Sequence, residues 1–194
     1  MKFVPRSEST RSFIIETTAE IFNKKGYAGT SIADLEKATK LTKGSIYGNF
    51  ENKEEVALAA FDYNLNRVHE KTKEGVAKSL GYKAKILSYL TTYAGLQNHG
   101  GCPMQNTSVE ADDTHEILRE RAAAGLLRWK NDLMELISSG IATNEFKADT
   151  DVEKTALTFI ALVEGAILLG RTTKNRAYFE TIFGVAKEAI EAIC

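Results

Sequence analysis

Residues 30–50, TSIADLEKATKLTKGSIYGNF, read as two short helices joined by a tight turn and closed by an aromatic anchor. Ser31 and Asp34 have the spacing of a capping box, which satisfies orphan backbone donors at a helix start. Ile32, Leu35 and Ala38 recur at helical spacing and give the first helix one apolar face. Thr39-Lys40-Leu41 forms the turn, with Leu41 inward. Thr42 then caps a second helix from Lys43 to about Gly48, which turns Lys43, Ser45, Tyr47 and Asn49 outward and Ile46 and Phe50 to the core. A helix-turn-helix whose second helix offers small, polar and basic groups suits a DNA major groove. An ordinary αα-hairpin inside a helical bundle fits the same residues.

The rest of the chain frames that choice. It has 194 residues with 43% hydrophobic and 26% charged content, ordinary for a globular protein. Two prolines and long stretches of helical periodicity predict an all-α fold. The net charge of −1 is unevenly spread: residues 1–53 hold nine Lys/Arg against six acids, leaving 16 against 20 beyond. A basic head on an acidic body is expected where only the head meets phosphate. Cys102 and Cys194 make neither a metal motif nor a disulfide framework, so a reducing cytoplasm is expected, with no metal and no cofactor. Lys2 and Arg6 precede no apolar stretch of a signal peptide. The apolar run Leu157 to Gly170 is too short for a membrane span and carries Glu164 in its middle.

Capping spacings and glycines divide the chain into about nine helices. The first runs from near Ser7–Thr10 to Lys25, stopped by Gly26, with Tyr27 packing under the helix-turn-helix. Asn52 and Glu55 open a long helix to about Glu74, followed by one from Tyr82 to Gln97 and a short one from Pro103 to about Ala111. Asp113 and Glu116 set up another, ending at Ser138 or Ser139 before Gly140. Thr150 and Glu153 open an apolar helix to about Arg171, and the last runs from Arg176 to Ile193.

FNKKGYAGTSIADLEKATKLTKGSIYGNFENKEEV resembles the N-terminal signature of the TetR family of bacterial transcriptional regulators. Phe22, Gly26, Tyr27, Thr30, Ile32, Leu35, Leu41, Lys43, Gly44, Ile46, Tyr47, Phe50 and Lys53 fall where that pattern puts equivalent groups. The resemblance covers about residues 10–58; beyond them it rests on helix number and length. It implies a DNA-binding head, residues 1–51, and an effector-binding, dimerising body, residues 52–194. It implies double-stranded DNA, a second copy of the chain and a small-molecule effector as partners. Thr30 would bind a phosphate with a helix N-terminus. Thr42, Lys43 and Ser45 would face bases or phosphates, with Gly44 allowing close approach. Tyr47 would give its hydroxyl to a phosphate, and Lys53 would clamp the backbone from the other side. Three positions depart from the pattern. Lys40 stands where glycine is usual, at a cost of up to about 1 kcal/mol if φ is positive, and could recover it on a phosphate. Glu36 replaces a small residue. Gly48-Asn49 replaces bulkier groups, and Asn49 suits either adenine or a helix end.

In the body, Phe159, Ala161, Leu162, Gly165, Ala166, Leu168 and Leu169 make one helix apolar around most of its circumference. Such a helix lies in a large core or between subunits. With Phe179, Phe183 and Ile190 of the last helix it is similar to the family's four-helix dimer interface. Tyr89, Tyr93, Cys102, Met104, Asn106, Trp129 and Phe159 suit an effector cavity or a plain core. Cys102 is either a sensor thiol or a core residue. No nucleophile elbow, P-loop or paired Glu-x-x-His motif is present, and Glu110, Asp112 and Asp113 form an acidic knot that suits either a cation or, more simply, a solvated corner. The expectation is a repressor released from a pseudo-palindromic operator by its effector, and no enzyme. The alternative is a helical carrier protein whose helix-turn-helix is structural.

Overall fold

The computed structural model describes residues 6–194, with side chains from residue 8 on. The N-terminal expectation, Lys2 and the side chain of Arg6 lie outside the described residues. The described residues form nine α-helices and no strand. They are α1 (Arg6–Lys25), α2 (Ile32–Thr39), α3 (Lys43–Tyr47), α4 (Lys53–Lys78), α5 (Tyr82–Ala94), α6 (Pro103–Ala111), α7 (Glu116–Ala142), α8 (Val152–Thr172) and α9 (Arg176–Ile193). No helix among them is long and apolar enough to cross a membrane.

Several boundaries differ from the sequence expectation for local reasons. Gly75 does not stop α4; a Cβ there would lie 2.5 Å from the Ser88 hydroxyl, so this glycine lets α4 and α5 approach. Gly140 likewise sits inside α7, where the Phe146 ring occupies the space of its missing side chain. His115, not Asp113, caps α7 by accepting the Leu118 N–H on Nδ1 (3.3 Å). Asp151, not Thr150, caps α8 by accepting the Lys154 N–H (3.0 Å). The polar groups flanking these starts compete for one role, and spacing does not rank neighbours. After Ala94 the chain tightens into a 3-10 turn, Gly95–His99.

Two hydrophobic cores form, and α4 belongs to both. The head core gathers Ile14, Phe22, Leu35, Ile46 and Phe50 around Val56, Ala57 and Ala60 of α4. The body core takes Phe61 and Val68 from the same helix and adds the inward faces of α5 to α9. Tyr27 packs on both.

The apolar surfaces of α8 and α9 divide differently from the expectation. Phe179, Phe183 and Ile190, expected between copies of the chain, are buried inside this one. Phe179 lies against Gly170, and its ring stacks 5.7 Å from that of Phe183. The antiparallel α8–α9 pair thus uses the stripe on α9 for its own core. The opposite face stays open: Ala161, Leu168 and Leu169 are exposed, as are Leu157, Tyr178 and Val185, while Leu162 and Gly165 are half-buried.

Candidate nucleic-acid interface

The helix-turn-helix is built by its caps. The Ser31 hydroxyl accepts the Asp34 N–H (3.2 Å), and the Asp34 carboxylate accepts the Ser31 N–H (2.9 Å). Lys25 adds an ion pair at 2.6 Å, and with the Ser31 donors holds that carboxyl well below the usual carboxylate range. Lys40 ends α2 in the left-handed region, φ 59°, with its N–H on the Glu36 carbonyl (2.9 Å). A non-glycine residue there is strained. Lys40→Gly is therefore expected to raise stability by up to about 1 kcal/mol in denaturant titrations. DNA affinity in the same variant should fall if the exposed amine meets a phosphate.

Two acceptors define the start of α3. Thr42 Oγ1 takes the Ser45 N–H (3.2 Å), as its position predicts, and Glu36 Oε1 takes the Lys43 N–H (2.7 Å). Glu36 is thus a cap supplied by α2. Spacing within one helix could not reveal it, because donor and acceptor lie on different helices.

Thr42, Lys43 and Gly44 are exposed, and Ser45 and Tyr47 are half-buried. The Tyr47 ring packs on the head core, and Lys43 Nζ lies 5.9 Å from its centroid. With Lys40, these residues form an accessible polar rim on and beside α3. Asn49 takes the helix-end role: its amide donates to the Ser45 carbonyl (2.9 Å), and its own carbonyl accepts from Arg11. Arg11 also pairs with Glu55 (2.6 Å) and covers the Phe50 ring at 4.0 Å, a tie that no local sequence signal marks.

Thr30 and Lys53 serve the fold rather than the rim. Thr30 is fully buried and donates its hydroxyl to the Gly26 carbonyl (2.6 Å), while Ser31 is the residue that caps α2. The Lys53 ammonium donates to the Tyr27 and Thr30 carbonyls (2.8 and 3.0 Å) and stands 4.2 Å from the Tyr27 ring centroid. The compact turn of residues 26–30 points its carbonyls at α4, and Lys53 gathers them.

Behind the rim, a polar joint binds head to body. Glu110 of α6 accepts the backbone N–H groups of Tyr27 (2.8 Å) and Ala28 (2.7 Å). Gly26, φ 75°, makes room, since a Cβ would lie 2.3 Å from Glu110 Oε2. His115 meets Tyr27 edge-on (4.9 Å) and Glu54 at 2.9 Å. Asn106 belongs here and not with the proposed cavity residues: its amide donates to the carbonyls of Asn23 and Gly100, both at 2.9 Å. A hollow of about 30 Å³ lies between these groups.

The other cavity candidates do converge. Tyr89, Tyr93, Cys102, Met104, Trp129 and Phe159 are all buried in the body core. Tyr93 stacks on Trp129 (3.8 Å) and beside Tyr89 (5.5 Å), whose hydroxyl donates to Asp132 (2.8 Å). Burial, and then the carboxyl of Glu164, push the Cys102 thiol well up, so it is a neutral core group rather than a reactive thiolate. Burial likewise pushes the Glu164 carboxyl up to about 7. An open cleft of about 590 Å³ between α4 and the 3-10 turn has Gly101 and Pro103, the neighbours of Cys102, in its lining.

Comparison with known proteins agrees with this geometry. Residues 14–60 match the family described as "Bacterial regulatory proteins, tetR family", and residues 82–184 match "Tetracyclin repressor-like, C-terminal domain". A TetR-family transcriptional regulator from Cytophaga hutchinsonii has a crystal structure similar at TM-score 0.92 and 50% identity, covering 99% of this chain and 98% of that one. One from Chloroflexus aurantiacus is similar at TM-score 0.90 and 36% identity, covering 96% of both chains. The HTH-type transcriptional repressor DhaR of Mycobacterium sp. strain GP1 is 26% identical over 93% of this chain and 91% of its own length.

Proposed function

As a member of the TetR family of bacterial transcriptional regulators, this protein is a DNA-binding regulator and not an enzyme, and we propose that it acts as a cytoplasmic homodimeric repressor released by a small-molecule effector. The exposed rim of α3 carries the reading. Thr42, Lys43 and Ser45 would enter the major groove, with Gly44 against its wall and Tyr47 and Lys40 on phosphates. Two heads joined through the open faces of α8 and α9 would address a pseudo-palindrome, one DNA turn (~34–36 Å) apart. An effector that prefers the non-DNA form must release the operator by linkage. Its place is the aromatic cluster of Tyr89, Tyr93 and Trp129, with Cys102, Met104 and Phe159 around it.

Gel-shift titration on genomic fragments tests this. Lys43→Ala is expected to weaken binding and to reduce the salt slope of the dimer by about 2, one for each copy, if the ammonium meets a phosphate. Tyr47→Phe should weaken binding too, while melting temperature and oligomeric state stay at wild-type values. Unchanged affinity in both variants would remove α3 from the interface.

A further inference from the structure

Two polar groups in the body core lack a conventional hydrogen-bond partner. They are the carboxyl oxygens of Glu164 on α8 and Nε1 of Trp129 on α7, all shielded from solvent. Buried polar atoms are paired in the great majority of cases, and an unpaired buried carboxylate is the costliest exception. The groups that face Glu164 supply no cation. From the start of α6 comes the Cys102 thiol, a weak donor to the carboxyl, and from α5 the Tyr93 hydroxyl, both held neutral by burial. Asp132 of α7 lies beyond Tyr89, and Gln105 donates only to the backbone carbonyl of Glu164 (3.1 Å). Tyr93 links the two orphans, since it stacks on Trp129 and neighbours Glu164.

We propose that Glu164 and Trp129 are the polar recognition groups of the effector site, and that the effector is a small planar organic cation. This rests on the effector reading above and gives that effector its chemistry. An amidinium-like group would place two N–H donors on the carboxylate, the geometry in which such pairs are strongest. Its flat face would lie among aromatic rings, which attract cations through their quadrupoles. The Trp129 N–H serves an acceptor elsewhere on the ligand. The route this requires starts at the cleft lined by Gly101 and Pro103, the neighbours of Cys102; Glu164, Trp129 and Tyr93 themselves do not reach its lining. Free protein near neutral pH holds much of Glu164 protonated, so binding the cation to the carboxylate sends that proton to solvent.

Benzamidine, benzamide and benzoate share size and shape and differ in charge, and Trp129 is the only tryptophan in the chain. Titrating each into the full-length protein, read by tryptophan fluorescence, is expected to give a saturable change with benzamidine. Its affinity should be at least tenfold above that of benzamide, with no response to benzoate. With the carboxyl titrating at about 7, that affinity should rise about tenfold from pH 6 to pH 8. Glu164→Gln should lose both the preference and the pH dependence. Equal binding of benzamide or benzoate, no saturable change with benzamidine, or a pH-independent affinity in the wild type would overturn the proposal without relying on any variant. Gel shifts with the same compounds separate this from the effector reading. Benzamidine that binds and leaves DNA in place removes the effector role; release by benzoate alone removes the cation.

Discussion

A charge placed on the open face of α8, as in Ala161→Glu or Leu168→Arg, is expected to give a folded monomer whose operator affinity drops by about 100-fold or more. The loss follows from avidity, since linking two heads raises affinity by about 10² to 10⁴ without new contacts. The side chains concerned support this: Leu157 and Leu168 are each 49% exposed, on a helix whose other side fills the core. At Gly165, between them, an added Cβ would meet nothing within 4 Å, which leaves room for a second helix to come close. Tyr178 and Val185 of α9 extend the patch. An apolar surface of this kind marks an interaction site more often than a solvated one. Sedimentation and gel shifts on the same preparations provide the check. A variant that stays dimeric at micromolar concentration, or a wild type that is already monomeric, would sink the idea.

Gly26→Ala and Glu110→Ala are each expected to destabilise the protein by about 2–3 kcal/mol, and the double variant by clearly less than their sum. The alanine methyl would carry the strain of φ 75° and would displace the carboxylate from its seat. Removing the carboxylate leaves the Tyr27 and Ala28 N–H groups without their charged acceptor, a loss of ~1.5–3 kcal/mol for each such bond that solvent does not replace. Both substitutions break the same contact, so a double-mutant cycle should return a coupling above about 1 kcal/mol. Strictly additive losses, measured in urea, would mean that the glycine and the carboxylate act independently.

The parts of this protein that were legible in the sequence are those whose partners lie within one turn of helix. The Ser31–Asp34 box, the Thr42 and Asn52 caps and the left-handed Lys40 all belong to that class; Ile46 and Phe50 read as inward from local periodicity alone, although what they pack on lies farther away. Roles that depend on a distant segment were not legible. Thr30 and Lys53 match a DNA-contact pattern, yet the turn after α1 claims both. Glu110 looked like part of a solvated acidic corner because its two donors lie more than 80 residues away. Phe179, Phe183 and Ile190 have the periodicity of a buried stripe, but periodicity does not say whether the stripe faces its own chain or a second one. Glu164 was visible as a charge in an apolar run; that its oxygens meet no donor stronger than a thiol needed the surrounding helices.

The continuity of α4 bears on how the duplex is met. Its 26 residues make a rod of about 39 Å at 1.5 Å per residue, with one end in the head core and the rest in the body core. A lever of that length magnifies small angles: a swing of about 5° moves its tip by about 3.4 Å. That is one rung of the double helix. Rearranging a single aromatic side chain in the body is on that scale, so a molecule no larger than a few rings has enough travel to put a head out of register with its groove.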